Sequence, residues 1–63
     1  MHMTVRELNR NQLIVLKQNF LDDENYRRGE GTSWGELAAA DELVSDETIF
    51  NEFSNYFFSE DDF

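Results

Sequence analysis

The chain is expected to fold as a mainly α domain: a compact bundle of about three short helices with an acidic extended C-terminal tail. Three observations carry that expectation. Asn9, Ser33 and Ser45 each stand where an N-cap would precede an apolar-periodic stretch, the first two with Gln12 and Glu36 three residues on. Apolar residues then recur at three- and four-residue spacing, the period of one helix face. Finally, 40% of the residues are apolar, with six Phe, two Tyr and one Trp, types that disordered acidic segments lack. Sixty-three residues suffice for a single small acidic domain, 1–63, whose modest core makes for marginal stability.

The first helix should begin near Arg10, with Asn9 as cap and Leu8 and Leu13 as a hydrophobic staple. Leu13, Ile14, Leu16, Phe20 and Leu21 share one arc of it, an amphipathic stripe that fades through Asp22-Asp23-Glu24. Lys17 sits in the middle of that arc. Of its two roles, an internal counter-ion for the acidic half or a stem lying on apolar surface with its ammonium in water, the second is the commoner for lysine. Gly29-Glu30-Gly31 marks a turn. A second helix is expected over residues 34 to 42. A third should run from Ser45 to about Tyr56, with Asp46 and Glu47 in its first turn and Val44 and Ile49 as a staple. On that helix Ile49, Phe50, Phe53, Tyr56 and Phe57 share an arc that must pack on the other two. Trp34, Phe20, Phe50 and Phe53 are assigned to the core. Phe58 to Phe63 reads as the extended tail.

Charge is the most informative feature. The formal net charge is −9, from 14 acidic and 5 basic residues, and from Glu30 onward there is no Lys or Arg at all. Such a surface repels nucleic acid and anionic membrane, so neither is expected as a direct ligand. With no Cys there is no disulfide framework, Cys-based zinc site or thiol nucleophile. Asp22-Asp23-Glu24-Asn25 and Glu60-Asp61-Asp62 lack the spacing of a calcium loop and read as solvated carboxylates, so no metal or cofactor is expected. A three-helix unit offers little concavity in which to desolvate an acid–base pair, and catalysis is not expected either. No apolar run approaches a membrane span and no signal-peptide pattern is present, which points to a cytoplasmic protein, expected to be a monomer.

The acidic residues divide by what folding asks of them. Glu36 completes a cap, and Asp46 and Glu47 suit a helix N-terminus, where the macrodipole favours anions. Asp41 and Glu42 fall near the expected C-terminal end of the second helix, where the same dipole disfavours them, and Glu60, Asp61 and Asp62 lie outside any helix. Solubility needs fewer charges than this. Carboxylates fixed on a rigid surface can stand in for phosphates, so Glu30, Glu36, Asp41, Glu42, Asp46, Glu47, Glu52, Glu60, Asp61 and Asp62 together form the candidate partner-binding set. The expected partner is a basic nucleic-acid-binding protein or complex. On one helix Asp41, Asp46 and Glu52 cannot make a straight row, so breaks between helices must align them.

The stretch Gly31-Thr32-Ser33-Trp34-Gly35-Glu36-Leu37-Ala38 through Asp41-Glu42-Leu43-Val44-Ser45-Asp46-Glu47, with the closing Glu60-Asp61-Asp62-Phe63, resembles small acidic proteins of bacterial mobile elements. In size, charge and helical makeup the chain is also similar to DNA-mimic inhibitors, several anti-CRISPR proteins of phages among them. That likeness implies an inhibitor acting in a bacterial host, occupying the DNA channel of a CRISPR surveillance complex or another nucleic-acid-binding protein. The alternative is an interaction module or small regulatory subunit that docks through Phe57, Phe58 and Phe63, with acids only at the rim.

Overall fold

Asn9 opens the long first helix. Its side-chain oxygen accepts from the Gln12 amide at 2.9 Å, and the Gln12 side chain accepts in return from the Asn9 amide at 3.0 Å. These reciprocal bonds satisfy backbone donors that the first turn leaves without intrahelical partners. The structure is a computed structural model that describes residues 2–63. It is mainly α: strand β1 (Met3–Thr4), a 3-10 turn (Val5–Glu7), helices α1 (Arg10–Arg27), α2 (Trp34–Ala38), α3 (Ala40–Leu43) and α4 (Asp46–Glu52), strand β2 (Phe57–Phe58) and a closing 3-10 turn (Glu60–Asp62). Helix α1 is the axis against which α2, α3 and α4 pack. Replacing Asn9 with Ala should lower stability by about 1 kcal/mol. Urea unfolding would read this as a lower midpoint at constant slope, and an unchanged midpoint would mean that water replaces the cap without cost.

Helix α1 runs past the fading stripe because its last turns have their own supports. Asp23 and Arg27 pair one turn apart at 3.1 Å. The buried Asn25 side chain donates to Thr32 Oγ1 at 3.2 Å and to Glu36 Oε2 at 3.0 Å, tying the following loop and α2 back to the helix. The end is a Schellman motif. Glu30 N–H donates to the Asn25 carbonyl and Gly29 N–H to that of Tyr26, with Gly29 at φ +75°, a conformation glycine adopts without a Cβ clash.

The expected second helix breaks at Ala39, which takes φ −95° and ψ 8°. Alanine favours helix, so the cause is tertiary. The break lets Ala40 bury completely and turns Asp41 toward α1. It also frees carbonyls at the end of α2, and Gln18 Nε2 donates to that of Leu37 at 2.8 Å. Helix α4 begins as the sequence implies, with Ser45 Oγ accepting from the Thr48 amide at 3.2 Å, but it ends at Glu52 rather than Tyr56.

Val5, Leu13, Leu16, Val44, Ile49 and Phe58 form the core, with Leu8, Phe20, Leu21, Phe50 and Phe53 packed against it. Two assignments need correction. Trp34, expected inside, is 87% exposed on the first turn of α2. The core is closed instead by Val5 and Phe58, which a two-stranded antiparallel ribbon brings in from opposite ends of the chain, with Met3 opposite Phe58 and Thr4 opposite Phe57. The last residues are likewise not an extended tail. Ser59 N–H donates to Asp62 Oδ2 at 2.7 Å, and the Phe63 ring folds back to 5.9 Å from that of Phe58.

Candidate functional site

The break between α3 and α4 brings two of the ten candidate acids together, but around an internal cation. Lys17 is 1% exposed. Its Nζ donates to Asp41 Oδ1 at 2.6 Å and to Asp46 Oδ1 at 2.5 Å, and lies 3.5 Å from the Asp41 carbonyl. Arg10 closes the cluster from the solvent side, with Nη2 at 2.5 Å from Asp41 and Nη1 at 3.1 Å from Asp46. The expected snorkelling lysine is therefore corrected: the stem is buried and the ammonium is neutralised by carboxylates, as burial of a charge requires. Asp41 correspondingly does have a folding role.

The charges reinforce one another. Hydrogen bonds from Lys17 first, then Arg10, hold both carboxyls below their ordinary range. Burial pulls the Lys17 ammonium down, but its bonds to Asp41 and Asp46 outweigh that and leave its pKa raised. Bonds to Asp41 and then Asp46 raise that of Arg10. The four groups form a staple between α1, α3 and α4.

The other candidates do not join this cluster. Glu36 accepts from Asn25, and Asp62 caps the last turn. Glu42 lies in the single turn that makes up α3, too short a helix for a dipole to weigh for or against it. Glu30, Glu42, Glu47, Glu52, Glu60 and Asp61 are exposed, and none takes part in an ion pair among the described residues. Glu52 stands apart from Asp41 and Asp46, over a cleft between α1 and the end of α4.

Two concavities flank Phe20. One, of about 300 Å³, lies where Leu21 of α1 and Arg28, the residue that caps its end, face Leu43, Val44 and Thr48. The other, of about 220 Å³, is walled by Phe20, Phe53 and Tyr56 and edged by Asp23, Glu24, Arg27 and Glu52. Sequence reasoning missed it, since Phe53 and Tyr56 read as one packed helix face. The signal was the Asp22-Asp23-Glu24 run, whose last two members edge it. Beyond these, Tyr26 is 81% and Phe57 70% exposed, while Phe58 is buried. Among the described residues no three His, Asp or Glu side chains converge as metal ligands, and no helix is long and apolar enough to cross a membrane.

No family model, curated protein or solved structure matches this chain.

Proposed function

We propose that the protein is a DNA-mimic inhibitor that occupies the basic nucleic-acid groove of a target in a bacterial cytoplasm, such as a CRISPR surveillance complex, and excludes DNA by competition. One observation carries this reading: after the internal staple has taken up Asp41 and Asp46, Glu30, Glu42, Glu47, Glu52, Glu60 and Asp61 remain as exposed carboxylates without ion-pair partners among the described residues. Glu42, Glu47, Glu52, Glu60 and Asp61 stand on short helical elements and Glu30 in the turn that ends α1, so a cationic groove would meet charges already in place. Preorganised charge loses little on binding and steers encounter. The contact set is accordingly revised: Asp41 and Asp46 hold the fold, and the unpaired acids face the partner.

The test is capture of the target from host lysate, elution in a salt gradient, and competition by duplex DNA. The partner should elute at moderate salt and be displaced by DNA. Glu42→Lys with Glu47→Lys should weaken binding on the order of ten-fold while leaving helicity unchanged. Retention indifferent to salt, or a complex that duplex DNA cannot displace, would end the mimicry reading. The exposure of Trp34 favours a second reading, an interaction module docking through aromatic anchors. In that case Trp34→Ala would abolish capture and the charge reversals would not. Docking through the last residues has less support, because Phe58 and Phe63 are engaged with each other.

A further inference from the structure

We propose that the cleft walled by Phe20, Phe53 and Tyr56 is an anchoring site for a cationic side chain of the basic partner, arginine above all. The inference rests on the reading of the molecule as a binder of basic proteins and names a point at which it grips one.

Three aromatic side chains line the cleft. The Phe20 and Phe53 rings lie 6.4 Å apart with planes at 77°, and Phe53 and Tyr56 lie 5.2 Å apart at 66°. These are edge-to-face pairs in which the rings pack on one another, while Tyr56 remains 57% exposed at the cleft; the negative faces of aromatic rings attract ammonium and, more often, guanidinium groups. The rim carries Asp23, Glu24 and Glu52. Among the described residues one cation answers them, Arg27 at 3.1 Å from Asp23 and 3.8 Å from Glu24, and Glu52 has no ion pair.

Size narrows the occupant. About 220 Å³ is below the roughly 300–1,000 Å³ usual for small-molecule pockets, and suits one long side chain. Arginine fits best, since its planar, weakly hydrated guanidinium stacks on rings and forks onto carboxylates at once. The molecule already makes the aromatic half of this contact elsewhere, with Arg6 Cζ 4.8 Å from the centre of the Phe50 ring. Arg27 is then an internal competitor, holding two rim carboxylates until a partner's arginine replaces it.

The experiment is an aromatic carbon–proton NMR titration of the full chain with N-acetyl-arginine amide, using N-acetyl-norleucine amide as the uncharged control. Shifts should concentrate on the rings of Phe20, Phe53 and Tyr56 and saturate in the millimolar range. Glu52→Gln should weaken binding about three-fold, Arg27→Gln should strengthen it by a similar factor, and Glu60→Gln should leave it unchanged. Non-saturating shifts, equal response to norleucine, or indifference to Glu52→Gln would overturn the proposal. Saturation of the cleft by the arginine probe, alongside failure of DNA to compete for the captured target, would leave the anchor standing and remove the mimicry reading. The converse pair of results would remove only the anchor.

Discussion

Lys17→Ala should lower the thermal midpoint by on the order of 15 °C and leave much of the protein unfolded near physiological temperature. The side chain is 1% exposed, so truncation removes a fully buried four-carbon stem and leaves a cavity on the face of α1 that also carries Leu13, one turn earlier. Truncations of long buried side chains cost about 3 kcal/mol. A domain of this length has only roughly 3–9 kcal/mol to lose. The change also strips Asp41 and Asp46 of their common partner, leaving two carboxylates to share Arg10. Lys17→Met, which keeps the stem and removes the charge, should fall between wild type and Lys17→Ala and so separates packing from ion pairing. Calorimetry checks both. A Lys17→Ala midpoint within about 2 °C of wild type would mean that the staple contributes nothing that water and Arg10 do not replace.

The second large effect is on pH. Lys17, then Arg10, depress the carboxyls of Asp41 and Asp46 below the ordinary value of 3.8. Groups lowered in the folded state contribute stability that is complete above their unfolded pKa and is lost as pH falls through the folded one. Lys17 is raised above its ordinary 10.5 by its hydrogen bonds despite the opposing effect of burial. Its contribution is therefore complete below that value and lost as pH climbs past the folded pKa. The stability difference between wild type and Lys17→Met/Asp41→Asn/Asp46→Asn should be flat from about pH 5 to 9, then shrink below about pH 3.8 and again above about pH 10.5. Urea unfolding followed by circular dichroism across that range measures it. Self-repulsion among the other acids is common to both proteins and cancels. A difference that stays constant down to about pH 2 would show that the two carboxylates are not what Lys17 depends on.

The parts of this fold legible in the sequence are those that act over three or four residues. Asn9 with Gln12, Ser33 with Glu36, and Ser45 are caps whose bonds form with near neighbours, and Gly29 announces its own turn. Leu13, Leu16, Val44 and Ile49 show their burial through spacing. What escaped depends on contacts distant in the chain. Two-residue strands are too short to display alternation, so nothing local says that Phe58 lies opposite Met3, or that Val5 and Phe58 will displace Trp34 from the core. Lys17 looks like any lysine on an amphipathic arc until α3 and α4 supply Asp41 and Asp46. For the candidate site, charge asymmetry identified the acidic half. It could not separate the two acids spent on an internal cation from those left facing solvent. The aromatic cleft was hidden for a related reason: α4 stops at Glu52, so Tyr56 leaves the helical arc and becomes a wall.

The ribbon that sets Met3 against Phe58 makes this a fold that cannot be finished in instalments. A chain that ended before Phe58 would lack both the partner of Met3 and one ring of the core, and is expected to complete its packing only once that residue is present. A protease cut in the loop beyond α4 would likewise release the bolt along with the fragment, and the helices left behind would have lost the ring that closes them.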